Sequence, residues 1–280
     1  VVREAPERIR ELIAWGSNFD KNPQGDFNLA REGGHSDHRI LHYKDATGNE
    51  IERTLLDKIH KHPNIKVLDL CFAVDLITKH HKGEKVTRYR TDKKCFGAYI
   101  LDRNNHQVHT LLAKITLLAT GGAGQVYATT TNPEIATGDG IAMAYRAKAN
   151  VQNMEFIQFH PTALYNPGES PASLISEAVR GAGGILRNHK GKAFMKDYDK
   201  RLELAPRDVV ARSIDSEMKK RGRPNVYLDT THIGKNTLLN HFPNIFEKCK
   251  SLGLDISKDW IPVAPAAHYL CGGIIVDEHG

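Results

Sequence analysis

Between His62 and Gly124 the chain alternates apolar and polar side chains in successive runs, and this alternation restricts the fold more than any other feature. HPNIKVLDLCFAVDLITK opens on a Pro-Asn turn and continues with β-branched residues at a period of two. CFGAYILDRNNHQVHTLL repeats the pattern around an Asn-Asn turn. A period of two belongs to strands, because successive side chains point to opposite faces of a sheet. The segment therefore predicts a β-meander. AKITLLATGG then reads as a final, buried strand of a parallel sheet, ending at Gly121 and Gly122. The polar run between the first two strands, KHHKGEK from Lys79 to Lys85, reads as a hairpin tip.

Helical spacing appears from about Pro6 to Trp15 and again in EIERTLLDKIH, Glu50 to His60. TGDGIAMAYRAKA predicts a helix starting near Asp139, because the polar Thr-Gly-Asp-Gly start precedes strong helix formers. Beyond Met154 the texture changes to loops, prolines and histidines, with helices expected near Pro206 to Lys220 and Asn236 to Leu252. A domain boundary is placed close to Asn153. CGGIIVDEHG predicts a strand followed by a turn in mid-hairpin. With no initiator Met and a helix almost at once, both ends read as truncated. The mixture predicts α/β combined with α+β architecture.

A chain of 280 residues with 40% hydrophobic and 26% charged content can bury a real core and hold more than one domain. No run approaches the roughly 20 apolar residues of a membrane helix, and the N-terminus lacks a signal pattern. A cytoplasmic setting is expected by default, with no membrane partner. Cys71, Cys95, Cys249 and Cys271 are scattered, without disulfide or zinc spacing, so reduced thiols and no metal are expected. The net charge of +6 is spread among interleaved acids. KHHKGEK reads as a solvated turn, since single-strand binding also needs aromatic platforms, and no nucleic-acid partner is expected. The basic balance suits a small anionic substrate.

Chemistry is concentrated in a few strings. KITLLATGGAG places Gly121, Gly122 and Gly124 after an apolar strand, where backbone must either approach a nucleotide or simply turn tightly. No GxGxxG occurs, so the pyrophosphate cradle of a dinucleotide fold is not in this sequence. QFHPTALY presents His160 from extended backbone beside a proline. LISEAVRGAGG offers Ser176, Glu177 and Arg180, and a helix there would put Glu177 and Arg180 on one face at i, i+3. ELAPRDVVAR sets Arg207 after Pro206 in a first helical turn, and VAPAAHYLCGG sets His268 before a small-residue bend. Taken singly, a histidine beside proline is more often a hydrogen-bonded structural residue, and Arg207 with Asp208 equally decorates a helix start.

Their order is what changes the weights. REGGHSDHRILH, HPNIKVL, LLATGGAGQVY, TTNPEIATGDGIAMA, EFIQFHPTALY, SEAVRGAGG, ELAPRDVVAR and PAAHYLCGGIIVDEHG resemble, in sequence and across essentially the whole chain, the flavoprotein family of succinate dehydrogenase, fumarate reductase and L-aspartate oxidase. REGGHS, and Cys271 where the respiratory enzymes usually have Met in PTAHYTMGG, resemble the L-aspartate oxidase branch. The resemblance implies non-covalent FAD. It implies a partial, Rossmann-like FAD-binding domain with a β-meander over 1–153, an α+β capping domain for substrate over 154–269, and a return strand over 270–280. It implies an internal fragment, inactive alone, with the glycine fingerprint upstream and a second carboxylate-binding arginine downstream.

Residue by residue, Arg207 matches the family's acid/base arginine, with Glu177 and Arg180 as its proton relay. His160, Ser176 and His268 match ligands of the substrate carboxylates, and Glu32 matches the acid that faces an amino group. Ala73, Ala119, Thr120, Gly121, Gly122 and Asp139 match FAD contacts. Ser176 stands where Thr is common and keeps the hydroxyl, whereas Ala182 stands where RGEG usually has Glu. The implied reaction is hydride transfer from L-aspartate, or another C4-dicarboxylate, to flavin, with oxygen or fumarate as acceptor. It would yield iminoaspartate for quinolinate and NAD synthesis, with quinolinate synthase as a candidate partner. Such chemistry needs donors that grip both carboxylates while Cα–H is held against the ring. An arginine, with a pKa above about 12, carries protons poorly unless a carboxylate resupplies it in a dry site. A fumarate reductase or succinate dehydrogenase subunit, and a dicarboxylate-binding module without turnover, remain as alternatives.

Overall fold

The computed structural model describes residues 2–31, 35 and 37–280. In chain order the elements are α1 (Ala5–Ala14), β1 (Leu29–Ala30), β2 (Ile40–Leu41), α2 (Thr47–Lys61), β3 (Cys71–Thr78), β4 (Cys95–Asp102), β5 (Gln107–Leu112), α3 (Asp139–Arg146), β6 (Val151–Gln152), β7 (Ile157–Leu164), α4 (Glu177–Gly181), β8 (Ile185–Arg187), α5 (Arg207–Arg221), β9 (Val226–Asp229), α6 (Lys235–His241), α7 (Pro243–Ser251), β10 (Ile261–Leu270) and β11 (Gly273–Ile274). They fall into two compact units, one of Val1–Val67, His160–Gly168 and Ser173–Pro265, the other of Leu68–Phe159, Glu169–Ala172 and Ala266–Gly280.

The second unit is built on the expected meander. β3 pairs antiparallel with β4 from Cys71↔Asp102 to Thr78↔Cys95, and β4 pairs with β5 from Gly97↔Leu112 to Asp102↔Gln107. The β4–β5 turn is fixed by side chains, Asp102 accepting from the Asn104 N–H at 2.8 Å and Asn105 from the Gln107 N–H at 2.9 Å. The KHHKGEK tip is a single tight turn, boxed by Thr78 and His81 and closed by Gly83 at φ 82°. It is also tied down, since Lys79 and Arg90 both reach Asp92 at 2.6 Å and hold its carboxyl well below the ordinary carboxylate range.

Two expectations in this unit need correction. The apolar run 115–120 forms no strand, and Ile115 and Leu117 are 87% and 82% exposed rather than buried. A parallel strand is stable only between hydrogen-bonding neighbours with both faces covered. Among the described residues no named strand flanks this run. The expected C-terminal strand shrinks to β11, which pairs antiparallel with β6 through Gly273↔Gln152 and Ile274↔Val151.

The first unit holds the larger core. Apart from β1 and β2, which pair with each other, its strand segments belong to a sheet of order β7-β10-β9-β8, and β9 pairs antiparallel with both β10 and β8. Leu164, Val179, Leu186, Phe194, Ile214, Leu228, Ile256 and Val263 pack into one buried cluster with α5 and α7 side chains. α5 starts where Pro206 fixes its own φ at −52°, carries Asp208 in its first turn and Lys219, Lys220 and Arg221 in its last, and stops at Gly222 with φ 60°. These charges complement the helix dipole, and the glycine supplies the left-handed cap. The single helix expected over Asn236 to Leu252 is two, α6 and α7, separated at Phe242. Pro243 has no N–H to donate and so begins the second helix instead of continuing the first.

Candidate functional site

The first unit brings three of the expected residues into one ion chain, two of them buried. Ser176 is the N-cap of α4, its hydroxyl oxygen accepting from the Ala178 N–H at 3.2 Å, and its O–H remains a donor. Helical spacing then sets Glu177 and Arg180 on one face, with Arg180 Nη2 at 3.7 Å from Glu177 Oε1. The first residue of α5 closes the chain, Arg207 Nε donating to Glu177 Oε2 at 2.6 Å. Glu177 and Arg180 are only 5% and 2% exposed. A buried carboxylate shared by two guanidinium groups is costly to desolvate and tolerable only with such pairing.

His160 is buried on β7, where its Nδ1 accepts from the Thr162 N–H at 3.2 Å. The same strand is stitched to the segment that carries Ser176. Thr162 exchanges bonds with Ile175, and Ala163 bridges Leu174.

Ser176 also lines a cleft of about 1020 Å³ in this unit, shared with Arg31, His38, Lys44, Ala182 and Lys248. Glu32 lies outside the described residues, but its neighbour Arg31 is on this wall and donates from Nε to the His35 carbonyl at 2.8 Å. Glu177, Arg180, Arg207 and His160 do not line the cleft.

In the second unit the glycine-rich segment forms a pocket of about 360 Å³. Ala119, Thr120, Gly121 and Gly122 form one wall and Cys271, Gly272 and Gly273 another. Gly121 adopts φ 71°, which favours glycine, and a Cβ on Gly272 would sit 2.1 Å from the Asn153 carbonyl oxygen. α3 packs as closely, since a Cβ on Gly140 would lie 1.8 Å from Thr120 Oγ1. Walls of main chain and small residues admit the close backbone approach that a dinucleotide requires, so the residues present fit FAD. Asp139, at the α3 N-terminus, accepts from the Thr137 hydroxyl at 2.9 Å. Neither it nor Ala73 on β3 lines this pocket.

His268, on β10, is held from both ends within the second unit. Its Nδ1 shares a proton with Thr131 Oγ1 at 2.7 Å, and its carbonyl accepts from Asn132 Nδ2 at 2.8 Å. Sequence reasoning missed Thr131 and Asn132, which lie over 130 positions from the histidine, beyond any periodic signal. It missed Glu203 as well, whose main-chain carbonyl accepts from Arg180 Nη1 at 2.5 Å.

Known proteins resemble this chain along nearly its whole length. The model of the family described as FAD binding domain matches residues 1–280. The chain is 53% identical over 281 residues to L-aspartate oxidase 2-a, chloroplastic, of Nicotiana tabacum, covering 98% of this chain and 42% of that protein. It is 51% identical over 282 residues to L-aspartate oxidase 1 of Ralstonia nicotianae, covering 100% and 52%. Among solved structures, a mutant FrdA of E. coli quinol fumarate reductase superposes with a TM-score of 0.87 at 32% identity, covering 98% of this chain and 47% of that one. The chain spans about half the length of the curated relatives it matches.

Proposed function

The chain belongs to the FAD-binding domain family, and on that premise we propose that the intact enzyme oxidises L-aspartate to iminoaspartate, with oxygen or fumarate as the final acceptor. The observation that carries this reading is the ion chain Arg207–Glu177–Arg180, in which Glu177 and Arg180 are buried. FAD, when bound, accepts the hydride that leaves Cα. As the hydride leaves, the substrate ammonium must also lose one proton, and Arg207 is assigned to move it. A guanidinium can do so only if a neighbour restores its charge state, and Glu177, 2.6 Å from its Nε, is placed for that. Arg180, 3.7 Å from Glu177, is assigned to the same relay as the charge that keeps Glu177 ionised between exchanges.

His160, Ser176 and His268 are assigned to the substrate carboxylates as hydrogen-bond donors, and Glu32 to the ammonium group. An acid there would disfavour succinate, which has no ammonium group to match the carboxylate. Ala73, Ala119, Thr120, Gly121, Gly122 and Asp139 are assigned to FAD, with 1–153 and 270–280 as the FAD-binding part and 154–269 as the capping part. The product would feed quinolinate and NAD synthesis, with quinolinate synthase as the consuming partner. Among the described residues no helix is long and apolar enough to cross a membrane. We place the enzyme in the cytoplasm, with the plastid as the rival compartment, because the tobacco relative is named chloroplastic.

The test is turnover of the intact enzyme on L-aspartate and on succinate. Aspartate oxidation is expected, and an enzyme that oxidises only succinate would overturn the assignment. The fumarate reductase match at TM-score 0.87 is what favours that second reading. Arg207→Lys should lower kcat by about 100-fold while KM stays within a few-fold, the signature of a group acting in the transition state. Unchanged turnover removes Arg207 from the chemistry.

A further inference from the structure

We infer that Glu203 is a positioning residue for proton transfer, acting through Arg180, a role that rests on the dicarboxylate-oxidase reading above. Two acceptors beside Arg180 bear on this role. Its Nη1 donates to the Glu203 main-chain carbonyl at 2.5 Å, whereas its Nη2 stands 3.7 Å from Glu177 Oε1. The carbonyl therefore has the tight contact and the carboxylate the loose one. Glu177 is left to make its short bond to Arg207, at 2.6 Å. A guanidinium free to choose would close on the carboxylate, because charge-assisted pairs are shorter and stronger than bonds to a neutral carbonyl. Arg180 is held off by the place at which the Glu203 carbonyl is fixed.

That carbonyl is fixed by two features of one tight turn. Leu202 adopts φ 55°, a left-handed conformation that crowds the Cβ of a leucine, and it stands immediately before Glu203 in the turn Leu202–Leu204. The Glu203 side chain then folds back, Oε1 accepting from the Leu186 N–H on β8 at 3.0 Å. The strained turn is thereby riveted to the sheet, and its carbonyl points at the relay. Strain held in place by a neighbouring bond is the usual mark of a segment with a positional task. Without the anchor the turn relaxes and Arg180 swings onto Glu177. The carboxylate is then locked between two cations instead of exchanging a proton with one.

The experiment uses the intact, FAD-loaded enzyme and reads kcat, KM for L-aspartate and the solvent deuterium isotope effect on kcat. Glu203→Ala is expected to lower kcat about 10-fold, a modest share of what acid/base catalysis contributes, with KM within two-fold and an isotope effect larger than in the wild type. Glu203→Gln is expected to restore kcat, because its amide oxygen still accepts from the Leu186 N–H. The inference is overturned if Glu203→Ala leaves kcat and the isotope effect unchanged, or if Glu203→Gln is as impaired as Glu203→Ala. It is overturned too if kcat falls with no change in the isotope effect, which marks general loss of structure. A wild-type enzyme without aspartate turnover sinks the parent reading instead, so the two failures are separable.

Discussion

Glu50 is buried at the start of α2 and accepts from Arg53 Nη2 at 2.7 Å, Arg53 Nε at 2.9 Å and the Asn18 N–H at 2.7 Å. The Arg53 bonds, then that from the Asn18 backbone, pull its carboxyl down to about 2. A carboxylate depressed in the folded state stabilises the fold above its unfolded pKa, and that stability is lost as pH falls from about 4.5 towards about 2. Glu50→Gln should therefore destabilise the protein near neutral pH, and the gap from the wild type should narrow as pH is lowered from about 6 to about 3. Urea midpoints across that range give the measurement, and a gap constant with pH would show that Glu50 contributes as a neutral acceptor only. At this scale the sequence was legible where spacing does the pairing, as for Glu177 and Arg180 at i, i+3. Glu177 and Arg207 stand 30 positions apart, and only the family resemblance paired them. Glu203 was invisible because it holds Arg180 with a main-chain carbonyl, a group every residue has.

The meander shows how an element can hinge on one missing side chain. Gly97 on β4 has φ 141°, and a Cβ there would stand 1.8 Å from the Leu111 carbonyl oxygen on β5. Backbone on a paired strand cannot retreat without breaking the ladder, so Gly97→Ala should cost about 3 kcal/mol. The measurement is urea unfolding followed by circular dichroism, and a loss under about 0.5 kcal/mol, the usual scale of a surface change, would mean that β4 and β5 separate easily. The runs that form β3, β4 and β5 were readable because alternation over six to eight residues is a strong signal. The run 115–120 has the same composition without the same outcome, because strand formation depends on neighbours that composition does not specify. The break at Phe242 was readable in principle, since Pro243 stands inside the helical pattern. The pairing of β6 with β11 was not, because two residues on each side carry no period.

On the scale of the whole chain, the two units differ in how much apolar surface they hide. In the first, Leu186, Val210, Ile214, Leu228, Ile261 and Val263 have no measurable exposure. In the second, Met143, Ala144, Leu76 and Ile77 form most of the buried apolar material, while Phe72, Val74, Val108, Leu112, Ile115 and Leu117 remain exposed. Each square ångström of apolar surface withdrawn from water contributes about 25 cal/mol, and local opening follows from the lack of such burial. Amide hydrogen exchange should therefore separate the units within one molecule. Backbone amides of β8, β9 and α5 are expected to exchange at least about 10-fold more slowly than those of β5 and residues 113–120. The distinction matters for function, since Ala119–Gly122, assigned to the cofactor, continue directly from the apolar run that no named strand pairs with among the described residues. If those amides prove as protected as β9, the run is held by contacts that its exposure does not reveal, and the glycine pocket is rigid before any cofactor arrives. If they exchange fast, binding FAD must order the segment, and part of the binding free energy is spent on doing so.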